Sequence, residues 1–328
     1  MIEFGHAASA NRACALLYSF IKGQPHGIWL LPVNVCPDVP LTFALAGIQF
    51  QFVDINPQTL CIDIDECKRR IKSKDSNVTG LVYVRTYGLL METSGLFYSL
   101  KNVNPKIRII DDRCLCIPEV PENFGGADMI LYSTGHCKPI DFGVGGLAFY
   151  SQPTVYNCVS SLFFDGTDEE LLYKEAYASK TPLPSIPQGW LQLGKYKDMD
   201  VYFQEISQRV KERIHQREKL NRIYRELLPE SIQMQLEYQD WRFNILVPST
   251  LKDEILNTLF ENGLFASSHY QSANRLFDTC GYKHSDRLFS QIINLFNDKY
   301  YTAEKAIKTC RIINKVLNKY SNRVKFYE

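Results

Sequence analysis

The sequence has no excess of charge of either sign: 37 basic residues stand against 36 acidic ones, a formal net charge of +1 over 328 residues. A field that weak draws neither nucleic acid nor an anionic membrane surface, so neither partner is expected. The densest basic run, Lys211 to Arg225, is interleaved with Glu212, Glu218 and Glu226, as on a solvated helix face. No stretch reaches the roughly 18 apolar residues that a membrane span needs. Residues 1–20 lack the basic start and apolar core of a secretory signal. The expectation is a cytoplasmic protein whose ten cysteines are reduced thiols. Cys114 and Cys116 form a C-x-C, but no second pair stands at zinc-ligand spacing, so no metal site is expected. Internal repeats and low-complexity tracts are also absent.

What is present is a 45% hydrophobic chain, long enough for a core that excludes water from a buried site. Short apolar runs alternate with helical patterns through the first half. Strands are predicted at Ile28–Pro32, Phe50–Val53, Gly80–Val84, Ile107–Asp111, Met129–Tyr132 and Gly146–Tyr150. Helices are predicted at Ala10–Ile21, Asp38–Ala46, Ile62–Ile71 and Gly95–Lys101. Strands that are almost purely apolar and alternate with helices imply an α/β fold, with a mostly parallel sheet covered on both faces. The Pro- and Gly-bearing stretch Ala176–Gly194 reads as a loop. A long helix follows from about Val201 to Leu228, stopped by Pro229. Strands at Phe243–Val247 and Ile292–Leu295, with helices at Leu251–Asn262 and Thr302–Asn318, make a smaller α+β unit. The predicted division is a large domain over 1–200, a connecting helix over 201–230 and a small domain over 231–328.

Three segments carry chemistry. In Ser133-Thr-Gly-His-Cys-Lys138, a lysine follows an apolar strand and precedes Gly143, Gly145 and Gly146. Such a loop opens at a sheet edge, where α/β proteins place ligands. The glycines let backbone approach a ligand, Ser133 offers a phosphate-binding hydroxyl, and a desolvated lysine amine is a nucleophile for a carbonyl. In Ile109-Ile110-Asp111-Asp112, an apolar strand ends in two carboxylates. They suit either a helix cap or a partner for a protonated ring nitrogen. In Ser9-Ala10-Asn11-Arg12-Ala13, small residues open a helix whose free N–H groups suit a phosphate.

Together and in this order, these segments resemble the DegT/DnrJ/StrS family of sugar aminotransferases, which use pyridoxal phosphate (PLP) and have the fold-type I aminotransferase fold. The likeness runs through Ala10 to Leu16, Leu30-Leu31-Pro32, Ala46-Gly47 with Phe52-Val53-Asp54-Ile55, and Arg85-Thr86-Tyr87-Gly88. It continues through Asp111-Asp112, Ser133 to Lys138, and Gly143-x-Gly145-Gly146. Trp241-Arg242-Phe243 and the turn from Gly263 to His269-Tyr270 extend it more loosely into the second half. The resemblance implies that Lys138 binds PLP as a Schiff base and shuttles protons. It further implies that Asp112 pairs with the pyridine nitrogen, and that Ser133 with the backbone of Asn11 and Arg12 holds the phosphate. His269, Tyr270, Arg85 and His136 become substrate-site candidates. The implied reaction moves an amino group, from a donor such as glutamate, onto a nucleotide-linked keto-sugar for surface polysaccharide such as O-antigen, in a homodimer.

Four positions depart from the family pattern. Asn34 stands where an aromatic ring is expected to cover PLP and is the cofactor-binding candidate in its place, and Leu115 replaces a polar residue. Arg85 replaces the H-x-Y-G histidine, and no counterpart of a partner-facing asparagine stands near Gly189-Trp190-Leu191-Gln192, where Gln192 is the nearest substitute. Two other readings therefore stay open: a PLP enzyme acting on a different amino substrate, and a non-catalytic protein of this fold that binds a sugar nucleotide.

Overall fold

A computed structural model describes residues 6–156, 169–183 and 196–324. Its larger sheet has seven strands: β1 (Ala7–Ala10), β2 (Ile28–Pro32), β3 (Phe50–Val53), β4 (Val78–Val84), β5 (Arg108–Asp112), β6 (Met129–Ser133) and β7 (Gly146–Tyr150). They lie in the order β1-β7-β6-β5-β4-β2-β3. The pairs β3·β2, β2·β4, β4·β5 and β5·β6 are parallel, while β7 runs antiparallel to both β6 and β1. Two reversals leave β1 pointing the same way as β6. The ends of β1, β2, β5 and β6 and the start of β7 therefore meet along one edge, where open α/β sheets hold ligands. Strands β6 and β7 are buried at every position, which is why they read as continuous apolar runs.

The helices of this half are α1 (Ala13–Lys22), α2 (Asp38–Ala46), α3 (Ile64–Lys72), α4 (Ser94–Val103) and α5 (Glu169–Ser179). α1 buries Leu16, Leu17, Phe20 and Ile21 along one stripe and stops at Gly23. Asp63 caps α3 by accepting hydrogen bonds from the Asp65 and Glu66 amides. Two apolar clusters form on the large sheet, one around Leu16, Trp29 and Leu131 and the other around Leu81, Ile109 and Tyr132, so both faces are covered.

Helix α6 (Met199–Leu227) leads to the second sheet, β8 (Phe243–Leu246), β9 (Ala266–Ser267) and β10 (Ile292–Leu295), ordered β8-β10-β9 and antiparallel throughout. α7 (Ser249–Glu261), α8 (Lys283–Gln291) and α9 (Ala303–Val324) complete this half, whose own core includes Tyr224, Phe243, Ile255 and Ile313. The sequence prediction differs in several places. Residues 7–10 form an edge strand before α1 begins, α5 occupies the start of the expected loop, and α8 was not anticipated. Gln192 and its neighbours lie outside the described residues. No helix among the described residues is long and apolar enough to cross a membrane, and no group of His, Cys, Asp or Glu among them could hold a metal ion.

Candidate active site

Asn11, Arg12, Asp112, Ser133, His136 and Lys138 line one cavity of about 280 Å³ at the shared sheet edge. Each lies at or soon after a strand end, so the fold converges residues that are more than a hundred positions apart in sequence.

Strand alternation separates the two acids at the end of β5. Asp111 points away from the cavity and forms a buried, forked ion pair with Arg85, with Nε to Oδ1 at 2.7 Å and Nη2 to Oδ2 at 2.8 Å. Asp112 lines the cavity, accepting the Cys114 amide at 2.9 Å on Oδ1, and the Cys114 thiol also bonds its carboxyl. Burial pushes the Asp112 carboxyl above its ordinary range, against the opposing pull of the Cys114 bond and the Lys138 charge. A carboxylate so placed favours a cationic partner such as a protonated pyridine nitrogen.

Burial disfavours the Lys138 ammonium, while Tyr270, Cys114, Cys36 and Asp112 favour it as each becomes ionised, and the pKa stands above the ordinary lysine range. Only the neutral amine attacks a carbonyl. The rate at which added PLP couples to the cofactor-free protein should therefore rise with pH through the neutral range, by roughly tenfold per unit while most of the lysine stays charged. Stopped-flow absorbance checks this, and a flat profile contradicts it.

The phosphate end also fits. α1 has no acidic residue in its first turn and no side chain capping its N-terminus, an arrangement that suits an anion. Gly145 adopts φ +102°; a Cβ there would lie 2.5 Å from the Thr134 and Tyr202 hydroxyls, and one on Gly146 would overlap the Ala13 backbone. Only glycine lets β7 start this close to α1. The Ser133 hydroxyl accepts the Gly135 amide at 3.2 Å and keeps its own proton to donate.

Of the expected site residues, Arg85, Asn34, His269 and Tyr270 do not line the cavity. Arg85 spends its donors on Asp111, the Met91 carbonyl and the Thr93 hydroxyl, a buried structural pair rather than a substrate contact. Asn34 is buried outside the cavity wall and donates to the Leu60 carbonyl at 2.9 Å. The side chain on that stretch that reaches the cavity is Cys36, two residues further on where the strand has ended, joined by Cys14 and Cys114. Burial pushes all three thiols up, Cys36 to about 12, so they are neutral wall groups rather than nucleophiles. Asp38 in the first turn of α2 also lines the wall, facing Arg12 and Lys138, whose charges oppose the effect of burial on its carboxyl.

An aromatic stack supports the lysine loop. Trp241 lies between Tyr87 (centroids 6.2 Å apart, planes 4° apart) and Tyr270 (6.3 Å, 11°), and its Nε1 donates to the Cys137 carbonyl at 2.8 Å. On the other side of Lys138, Arg217 of α6 donates to the Pro139 carbonyl at 2.8 Å. The carbonyls of the two residues flanking Lys138 are thus tied down from the C-terminal half. His269 packs against Trp241 and Tyr270, where burial, with Arg242 and Lys138, lowers its pKa to about 4; it is neutral near pH 7. Trp241→Phe keeps the stack but orphans the Cys137 carbonyl. It should cost about 1–3 kcal/mol of stability, read from urea unfolding, and loosen PLP retention. No sequence signal joined Tyr87, Trp241 and Tyr270, because they come from three distant segments.

Comparison with known proteins agrees with this geometry. The model of the DegT/DnrJ/EryC1/StrS aminotransferase family matches residues 42–314. The fold is similar to the sugar aminotransferase CalS13 of Micromonospora echinospora, with a TM-score of 0.68, 14% identity, and coverage of 94% of this chain and 87% of that one. DesI, solved in the presence of its TDP-sugar product, gives a TM-score of 0.72 at 13% identity over 98% and 83% of the two chains. NtdA of Bacillus subtilis, with bound cofactor PMP, gives 0.69 at 17% identity over 95% and 73%. No curated protein matches the chain in sequence. The chain belongs to the DegT/DnrJ/EryC1/StrS aminotransferase family and is a PLP-dependent aminotransferase.

Proposed function

We propose that the protein moves an amino group from glutamate onto a nucleotide-linked keto-sugar, as a cytoplasmic homodimer serving surface-polysaccharide synthesis. The observation that carries the reading is the convergence of Lys138, Asp112, Ser133 and the uncapped first turn of α1 on one cavity. When bound there, PLP supplies the electron sink that lets nitrogen pass from one carbon skeleton to another. Lys138 would hold the cofactor through its amine and, once released by the incoming substrate, would carry a proton to and from the reacting carbon. Asp112 keeps the ring nitrogen protonated, and Ser133 with the amides of α1 anchors the phosphate. Arg12 and His136 on the wall, with Tyr270 beside Lys138, present polar groups to the substrate side. The TDP-sugar product of DesI, whose fold this chain shares, supports a nucleotide-linked acceptor.

The test is a two-stage reaction. Glutamate alone should remove the near-visible absorbance of the PLP-loaded protein and release 2-oxoglutarate; a keto-sugar nucleotide should then restore the absorbance and yield an amino-sugar. Recovery with simple 2-oxo acids but with no sugar nucleotide would overturn the acceptor assignment. Asp112→Asn, which nearly preserves shape, should slow the glutamate half-reaction on the order of a hundredfold to a thousandfold, the scale of losing one preorganised electrostatic contact. Single-turnover kinetics on PLP-loaded protein measure that loss.

A further inference from the structure

Helix α6 carries Arg213 and Arg217 at four-residue spacing, which sets them on one face, and Arg217 reaches the Lys138 loop through the Pro139 carbonyl. Both residues are almost wholly buried, at 8% and 6% exposed. Neither is satisfied. The Nε of each has no hydrogen-bond partner, and the Arg213 guanidinium makes no hydrogen bond or ion pair with the described residues. The Nε of Arg242, a third buried arginine at this place, is unpartnered as well.

The acids close by are already engaged. Asp298 pairs with Arg242 at 3.0 Å and accepts the Tyr300 amide, while Asp141 accepts the Cys137 and Gly143 amides. Burial, with Arg242 and Arg213 beside it, disfavours the Arg217 cation more than Asp298 and Asp240 favour it, and its pKa falls to about 10. Positive charge is therefore in excess behind the lysine loop. A buried cation short of counter-charge is costly unless something else supplies that charge.

Arg213 and Arg217 meet in a pocket of about 10 Å³, whose other walls include Lys138, Pro139, Asp298 and Lys299. That is about the room one water-sized particle takes, so a phosphate ester or a carboxylate-bearing metabolite does not fit. The pocket shares Asp141, Lys299 and Tyr300 with an open cleft, which gives an ion a way in from solvent. Water fits the same space but brings no charge, so it leaves the excess uncompensated.

We propose that this pocket binds a single halide ion, chloride above all, between Arg213 and Arg217. The ion supplies the missing negative charge and, together with the Arg217 bond to Pro139, fixes α6 against the loop that carries Lys138. The inference does not depend on which acceptor the enzyme uses.

Thermal unfolding of the PLP-loaded protein in sodium gluconate, chloride and bromide at equal ionic strength tests it. Tm should be about 2–4 °C higher in either halide than in gluconate, and the rise should saturate with concentration. Arg213→Met should lose that rise. In gluconate the same variant should be at least as stable as wild type, because an uncompensated buried charge has gone, and this separates loss of a site from damage to the fold. Arg209→Met, on the same helix face but outside the pocket, should keep the full rise. Crystals grown in bromide should carry an anomalous scatterer between Arg213 and Arg217. Equal Tm in the three salts, a halide rise that persists in Arg213→Met, or no anomalous scatterer at that position would overturn the proposal. So would an Arg213→Met protein less stable than wild type in gluconate, since the guanidinium would then be satisfied without an ion.

Discussion

Lys138→Ala is expected to abolish amino transfer while leaving the fold intact. The side chain lines an open cavity rather than filling a core, so truncation leaves little new void. The loop keeps its shape through the Trp241 and Arg217 bonds to the neighbouring carbonyls and the Lys138 amide bond to Gly135 at 3.3 Å. None of those involves the amine. Loss of general acid/base action alone costs about 10²–10⁴ in rate, and loss of the covalent anchor adds to it. Turnover should fall below detection, and the near-visible absorbance of the loaded protein should disappear while circular dichroism is unchanged. A variant within about tenfold of wild type would remove Lys138 from the mechanism.

Arg85→Met should be the most destabilising single change near the site, although Arg85 touches no substrate. It leaves the 1%-exposed Asp111 carboxylate without its forked partner, and breaking such a pair typically costs about 3–5 kcal/mol. Arg113 also reaches Asp111, Nε to Oδ2 at 2.9 Å, so the cost should fall at the lower end. Urea unfolding of the PLP-loaded protein measures it. Adding Asp111→Leu should recover much of the loss, because the buried charge then disappears with its partner. A single variant as stable as wild type would return Arg85 to the substrate-binding candidates.

The difference between these two residues marks what could be read from the chain. Lys138, Asp112 and Ser133 follow apolar runs whose ends are easy to locate, and a parallel sheet brings such ends to one edge. Strands β2, β3, β7 and β10 and helix α2 are predicted to the residue for the same reason: dense apolar runs stop at turn-forming neighbours. Strand β1 is different. Ala7–Ala10 holds only small residues, and its pairing with β7 joins positions almost 140 apart, which a local pattern does not reveal. Asn34 and Cys36 show a second limit. Period-two reasoning holds within β2, which ends at Pro32, but beyond it side-chain direction depends on the turn into α2. The Tyr87–Trp241–Tyr270 stack and the unpaired Arg213 depend on contacts between the two halves of the chain. Their residues carry no local signal of that contact.

The most direct test of Lys138 as the cofactor's anchor is to trap the cofactor on the protein. Wild-type protein loaded with PLP is treated with borohydride, digested and mapped by mass spectrometry. The expected result is a reduced pyridoxyl phosphate adduct on the peptide carrying Lys138, at one equivalent per chain, and none after prior conversion by glutamate. An adduct confined to other lysines, or no stable adduct with excess PLP, would contradict the central claim.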